Sequence, residues 1–453
     1  MNMIRHTPVL ATVAALFAAC PAMAQVITFN KIADTSTLVP GGVGAFSHFN
    51  SDNAVVSNGN VAFRGEGVNQ NPGIYLFGGS TLSTSKVVAA DDSMPGLPGV
   101  NFQFFFDISL SGNTVGFAGY GRDASNKLVS AAFTSTDGLL TNRADSNTNN
   151  PSDASYPFSY FDAVAASGGD VAFYAHGRNA NDRLIAGIYT NAGGPVTKVV
   201  DNRSPVPGAN MPNWEFTSFR QAVAFGGGSI GIAAKASDFD FNERANVLLL
   251  ATPGGALTNI ADTRNTISPS TRSRFGRLLS TPSVDGTKYA FAGSSDDVDG
   301  IYTNITGSLS IVADENTPVP GQATLAFDRF NDDQISIDGS RIVFKGFFGK
   351  DPENPDSGST GHGLYLYDNG ALSLLVDTTK PFDGKSIADV SVSFDGAIYG
   401  DTIAFVAHFR DGSKGVYTAV VPTAVAPEPA SLSLLALTGI VLLRRRRGNR
   451  VAR

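Results

Sequence analysis

Asp285-Gly286, Tyr289-Ala290-Phe291, Gly300-Ile301-Tyr302, Ile311-Val312-Ala313-Asp314 and Pro318-Val319-Pro320-Gly321 follow one another within 37 residues and form the clearest copy of a repeated unit. The apolar-Ala-Phe element returns as Val61-Ala62-Phe63, Val171-Ala172-Phe173 and Ile403-Ala404-Phe405. Looser copies are Val115-Gly116-Phe117, Ile230-Gly231-Ile232 and Ile342-Val343-Phe344, which makes seven. The Gly-Ile-Tyr element returns as Gly73-Ile74-Tyr75, Gly187-Ile188-Tyr189, Gly363-Leu364-Tyr365 and Gly415-Val416-Tyr417. Each unit then closes on a short apolar run and an aspartate: Asp92, Asp145, Asp201, Asp262, Asp314 and Asp377. In several copies a glycine stands seven positions further, as from Asp92 to Gly99 and from Asp314 to Gly321.

These elements are short β-branched or aromatic runs bounded by Gly, Pro, Asn or Asp, which is how strands and turns read in sequence. Four strands per unit, in units of roughly 50 residues, is the size of a propeller blade. The last copy stops after its third strand, at Gly415 to Val421, and Lys31-Ile32-Ala33-Asp34 supplies the fourth-strand pattern at the other end. A permuted start of this kind closes a ring and leaves no open sheet edge. The expected fold is therefore all-β: a seven-bladed β-propeller of four-stranded blades over residues 25–421, its last blade completed by the N-terminal strand. The Phe after Ala should point into the packing between blades. The closing aspartates should accept backbone N–H groups of the loop that leads to the next blade.

Residues 1–24 have the form of a secretory signal peptide. Arg5 is the charged n-region, Val9 to Cys20 is apolar, and Ala22-Met23-Ala24 is a small-x-small cleavage site before Gln25. The rival reading is a lipoprotein signal using Cys20, with Phe17 where such signals usually have Leu. Cys20 is the sole cysteine, so cleavage between Ala24 and Gln25 leaves a chain without disulfides or thiol chemistry.

At the other end, residues 422–429 are a linker containing Pro427-Glu428-Pro429, residues 430–443 are an apolar run, and residues 444–453 are basic. The run is shorter than the roughly 20 residues of a comfortable transmembrane helix, and Arg444, Arg445, Arg446 and Arg447 would hold its end in the cytoplasm. A Pro-Glu-Pro tripeptide, a short apolar helix and an arginine cluster in this order resemble the PEP-CTERM sorting signal. The resemblance implies Sec export, processing by an exosortase in the inner membrane, and delivery to the cell surface or exopolysaccharide matrix of a Gram-negative bacterium. The simpler reading of the same tail is an uncut membrane anchor.

The body carries resemblances of its own. Ser283-Val284-Asp285-Gly286 and Ser336-Ile337-Asp338-Gly339 look like TolB-type propeller repeats. The repeated apolar-Ala-Phe core resembles the exported tandem-repeat proteins named for Asn-x-x-Gly-x-x-Ala-Phe, although here the leading Asn is mostly absent. Both imply a propeller.

The whole chain carries 33 basic and 40 acidic residues, a net charge of −7. Without the signal and the tail the basic count falls to 26, and the body is near −14. Such a body is a poor nucleic-acid binder, and binding an acidic polysaccharide would need local basic patches or divalent cations. Enzyme signatures such as His-Glu-x-x-His and Gly-x-Ser-x-Gly are missing.

Candidate binding residues lie where the repeats differ. The position three after the repeated Phe holds Glu66, Tyr120, His176, Lys235, Ser294, Phe347 and His408 around the ring. This strand end and the Asp-to-Gly loops should open on one face, and polar, aromatic and titratable side chains there would form a binding surface. Asp238, Asp240 and Asn242 have the alternate spacing of Ca²⁺ ligands, against a plain solvated hairpin loop. The leading functional expectation is a monomeric, non-enzymatic propeller with a binding or structural role at the cell surface or in the matrix, its partner an extracellular polysaccharide. The alternative is a propeller hydrolase or lyase acting on that polysaccharide, with Glu66 and His176 in its pocket.

Overall fold

The computed structural model describes residues 26–422, apart from 69–70, 79–81, 209–210, 212, 239–242, 253–254, 256, 323 and 351–357. The signal peptide, the Pro-Glu-Pro motif, the apolar run and the arginine cluster lie outside the described residues, as do Asp240 and Asn242. Among the described residues no helix is long and apolar enough to cross a membrane.

Seven antiparallel sheets follow one another along residues 27–421. Blade 1 is Phe46–Ser57, Asn60–Gly67, Pro72–Gly78 and Ser83–Ala89. Blades 2 and 3 repeat the pattern over 101–144 and 149–201, blade 4 over 215–262, blade 5 over 277–314 and blade 6 over 327–377. Blade 7 takes Lys385–Ser391 with Ile398–Tyr399, then Thr402–Phe409 and Lys414–Val420. Its outer strand is Thr28–Asp34, which pairs with Lys414–Val420 from Thr28 opposite Val420 to Asp34 opposite Gly415. The ring is thus closed by the first strand of the chain, as the permuted repeat predicts.

Side chains alternate across each strand, and every blade buries both faces against its neighbours. The seven hydrophobic clusters each join two consecutive blades. Ala62, Ile74 and Val88 of blade 1 meet Phe102, Phe105, Phe117 and Phe133 of blade 2, and Ala404, Val406 and Val416 of blade 7 meet Phe46, Phe49, Phe63 and Tyr75 of blade 1. The rule is small residues on one face and aromatics on the other. Phe63, Phe117, Phe173, Phe291 and Phe344 are 0% exposed and point into these junctions, each contributing on the order of 2 kcal/mol by burial.

The aromatic wedge is larger than the repeated triplet suggested. In blades 1, 2, 3, 4 and 6 the first strand opens with Phe-x-x-Phe: Phe46 and Phe49, Phe102 and Phe105, Phe158 and Phe161, Phe216 and Phe219, Phe327 and Phe330. Blade 5 has Phe275 and Leu278, and blade 7 has Ile387 and Val390. The rings interlock edge to face, as Phe327 does on Tyr365 at 4.8 Å, an arrangement the ring quadrupoles favour.

The closing aspartates act as expected in most blades. Asp201 is fully buried and its Oδ1 accepts from Arg203 N at 3.0 Å and Ser204 Oγ at 2.7 Å. Asp34, Asp145, Asp262, Asp314 and Asp377 accept from the backbone N–H two residues on at 2.7–3.0 Å. Asp92 is a correction. Gly73 pairs with Ala89, in the place where Gly300 pairs with Asp314, so Ala89 and Gly96 are the equivalents of Asp314 and Gly321. Asp92 lies further along the loop and accepts from Ala89 N at 2.8 Å.

The Asp-Gly turns do more than reverse the chain. Asp285 Oδ2 accepts from Gly339 N at 2.9 Å, and Asp338 Oδ2 from Gly400 N at 2.5 Å, each reaching the next blade. Ser57 and Ser111 do the same for Gly112 and Gly168, both at 2.8 Å. Within the Ser-x-Asp-Gly repeats, Ser283 and Ser336 take the N–H groups of Ile337 and Ala397. These bonds fasten successive inner strands around the axis.

Candidate functional site

Register places the predicted ring on one face. The end of each second strand, the start of the third, the end of the fourth and the start of the first all lie together, as in blade 6, where Phe327 opposes Phe348, Phe348 opposes Gly361 and Gly363 opposes Asp377. Each predicted residue also has a partner one strand further in. These are His48 for Glu66, Phe104 for Tyr120, Tyr160 for His176, Ser218 for Lys235, Arg277 for Ser294, Arg329 for Phe347 and Asp389 for His408. All seven partners are the third residue of the Phe-x-x-Phe element or its apolar equivalent. Sequence reasoning missed this inner ring, and the spacing of the two Phe residues was the signal that could have found it.

The accessible ring expected from sequence is only partly accessible. Tyr120 is 1% exposed and Ser294 is 3% exposed. Tyr120 stacks under Phe104 with centroids 4.9 Å apart, and its hydroxyl donates to Phe161 O at 2.6 Å. Lys235 is exposed, while Glu66, His176, Phe347 and His408 are half-buried.

The side chains gather into two sectors. In blades 2 and 3, Phe104, Phe106, Tyr120, Tyr160 and His176 form one aromatic set. Tyr160 lies parallel to His176 at 5.1 Å, and Phe106, which is 43% exposed, meets Tyr120 edge-on at 5.1 Å. Asp162 sits against this set. Its carboxylate accepts from Ala163 N at 3.0 Å and from the hydroxyls of Tyr120 and Tyr160 at 3.4 Å. Burial raises the Asp162 pKa despite these bonds, because the charged form loses its water. Burial, with Arg178 nearby, lowers that of His176.

The second sector spans blades 6, 7 and 1. Asp389 accepts from Lys345 Nζ at 2.6 Å and contacts His362 Nε2 at 2.8 Å. Burial opposes ionisation of Asp389, but the bonds from His362 and Lys345 hold its pKa at about 2. Lys414 Nζ donates to His48 Nδ1 at 2.9 Å. His408 opposes Asp389 in the ladder, and its buried Nε2 has no hydrogen-bond partner among the described residues. Burial, then the charge of Lys414, lowers the His408 pKa to about 4, so it is neutral near pH 7. His176 and His408 belong to different sectors.

No group of three His, Cys, Asp or Glu side chains could hold a metal among the described residues. Of the proposed calcium ligands only Asp238 is described; it ends its strand, is buried and pairs with Glu243 across the hairpin. Trp214 is buried too, under the Arg264 guanidinium at 5.1 Å.

Between the rings and the axis the first strands lose their regular pairing. Register breaks between Phe106 and Ile108, between Asp162 and Val164 and between Phe330 and Ile335. Asp107 and Ala163 take left-handed backbone angles there, with φ of +38° and +35°. Non-glycine residues in that region carry roughly 1–3 kcal/mol of strain, and such strain gathers at ligand sites. Arg220 of blade 4 reaches Asp333 of blade 6 with two contacts at 2.6 and 2.8 Å and also donates to Leu279 O.

Blade 7 departs furthest. Residues 392–397 leave the sheet and enter the axial channel. Asp395 is held there by Ser283 Oγ at 2.7 Å and Phe225 N at 3.3 Å, from blades 5 and 4, while Gly396 O accepts from Val56 N of blade 1 at 2.8 Å. Burial raises the Asp395 pKa to about 6. A cavity of about 360 Å³ remains along the axis, lined by Asp107, Ser109, Arg220, Gln221, Asp333 and Asp395 among others.

Solved structures with a similar fold include an acylaminoacyl peptidase from Pyrococcus horikoshii, at 13% identity and a TM-score of 0.46, covering 80% of this chain and 50% of that one. This chain thus spans about half the length of that peptidase. The polysaccharide lyase Uly1 matches at 9% identity and a TM-score of 0.43, over 84% of this chain and 92% of that one. TolB from Acinetobacter baumannii matches at 12% and 0.31, over 58% and 52%. No curated protein matches the sequence. One family model, described as a family of unknown function (DUF7453), matches residues 23–287, more than half of the 453 residues. This propeller therefore belongs to the DUF7453 family.

Proposed function

We propose that this protein is an exported propeller, directed by its two ends to the cell surface or exopolysaccharide matrix, that binds extracellular polysaccharide without cleaving it. The observation that carries the binding reading is the aromatic sector of blades 2 and 3. The exposed ring of Phe106 and the half-buried rings of Phe104 and Tyr160 all pack on Tyr120, with the carboxylate of Asp162 bonded to Tyr160. Aromatic faces take the C–H faces of sugar rings, and a carboxylate accepts their hydroxyl groups. The export reading rests on the sequence of the ends. The test is affinity electrophoresis of the mature chain through gels containing the host's extracellular polysaccharide. Retardation that weakens about tenfold in Phe106→Ala and Tyr160→Ala supports the reading. Unretarded wild-type protein overturns it.

A second reading has one observation in its favour. Asp162 has a raised pKa, bonds to Tyr160, which stacks on His176, and stands two residues before Val164 of the cavity wall, and perturbed carboxyl groups near clefts favour acid–base chemistry. A hydrolase would release reducing ends from the same polysaccharide, and a lyase would release unsaturated ends that absorb ultraviolet light. Neither product should appear if the protein only binds.

A further inference from the structure

We propose that the axial cavity is a second, half-open subsite that takes one uncharged, hydroxyl-rich sugar unit, such as the end or a side branch of the glycan bound on the aromatic sector. This rests on the binding reading above and adds to it a place and a ligand class. Four observations lead here. First, residues that interrupt four of the first strands just beyond their paired aromatics supply polar groups to the wall, and these differ from blade to blade: Asp107 in blade 2, Arg220 and Gln221 in blade 4, Asp333 in blade 6, Ser393 and Asp395 in blade 7. A channel meant only to be filled would carry apolar side chains at such positions, as the junctions between blades do. Second, the strained backbone at Asp107 and Ala163 sets the wall of two adjacent blades. Third, residues 392–397 lie in the channel and narrow it to about 360 Å³. That volume is at the small end of ligand pockets, enough for a sugar unit and too little for a bundle of chains. Fourth, charge selects the class. The lining holds five aspartates, Asp107, Asp285, Asp333, Asp338 and Asp395, against one arginine, and Arg220 is already matched by Asp333. An acceptor-rich wall of this kind repels carboxylated or sulfated sugars and accepts hydroxyl donors. Phe106 is next in sequence to Asp107 but does not line the cavity, so platform and subsite are contiguous and can be tested separately.

The probe is a set of uncharged gluco-, manno- and galacto-oligosaccharides of increasing length, with carboxylated and amino-substituted counterparts. Binding to the mature chain is followed by calorimetry and by saturation-transfer NMR, which reports the sugar unit in closest contact. Ala222→Phe fills the cavity from its wall without removing a side-chain hydrogen bond. Gln221→Phe, from an exposed position, narrows it if the first variant melts early. The expected result is binding of uncharged oligosaccharides with strongest saturation at one unit, weakened at least about tenfold by either filling variant. If filling changes nothing while Phe106→Ala abolishes binding, the subsite falls and the platform stands. If no oligosaccharide binds, both fall. Tighter binding of the carboxylated or amino sugars overturns the uncharged class.

Discussion

Asp395 should make this propeller less stable as pH rises, and the size of the effect follows from its position. Its side chain lies half-buried in the axial channel, with Ser283 Oγ and the N–H groups of Phe225 and Val284 as donors and the charge of Asp285 nearby. Burial outweighs the three hydrogen bonds and moves the carboxyl from 3.8 to about 6 in the folded state. Because the folded pKa lies above the unfolded one, the folded protein holds this proton more tightly. The group therefore costs nothing below about pH 4, costs progressively more between pH 4 and 6, and reaches its full cost above that. A shift of about two units corresponds to about 3 kcal/mol. Asn at this position does not titrate. It can accept from Phe225 N while its amide donates to a rotated Ser283 hydroxyl. The measurement is urea unfolding of the wild type and Asp395→Asn between pH 4 and 8, taken as a difference so that all other titrations cancel. The advantage of the variant should grow by about 2 kcal/mol from pH 4 to 7. A difference that is flat across that range would refute the argument, and would mean that water reaches the channel segment and solvates the carboxylate.

Three further outcomes follow from the packing. Phe344→Ala removes a fully buried ring from the junction of blades 5 and 6 and should cost about 3–5 kcal/mol in chemical denaturation. Arg341 is almost buried and joins blade 6 to the end of blade 7 through Gly400 O at 2.7 Å, Val421 O at 2.8 Å and Asp401 at 3.0 Å. Arg341→Met leaves the buried Val421 O and the mostly buried Asp368 without their partner and should cost about 2–3 kcal/mol by the same measurement. Deleting residues 26–34 strips the outer strand from blade 7, together with the Lys31–Asp383 contact at 2.6 Å. The exposed edge of Lys414–Val420 should then drive self-association, visible by size-exclusion chromatography with light scattering; a shortened chain that stays monomeric at unchanged stability would count against closure by this strand.

The two sectors of the strand-end face were within reach of sequence to different degrees. Glu66, His176, Lys235 and His408 could be placed on one face because they hold a fixed offset from the repeated Phe. That offset says which end of a strand a residue occupies, and nothing about depth. Tyr120 was therefore expected to be accessible and is buried, because Phe104 on the next strand lies flat over it. Asp162 was not found at all, since it lies in an irregular stretch where the repeat has no fixed spacing.

The sequence by itself determined the number of blades, the four strands in each and the identity of the closing strand. A repeat read against the two-residue period of a strand leaves few other ways to bury seven sets of aromatics, and a strand missing at one end and present at the other admits a ring. It also determined the role of the closing aspartates, which act on N–H groups two residues away. The tertiary structure decided everything that depends on contact between distant blades. Phe394-Asp395-Gly396 reads like another hairpin turn, yet it enters the channel and bonds to residues more than 100 positions away. Asp285 and Asp338 read as turn formers and also fasten one blade to the next. Repeats fix local geometry because neighbouring residues constrain one another. A binding face and a channel are assembled from one residue of each blade, and only closure of the ring brings those residues together.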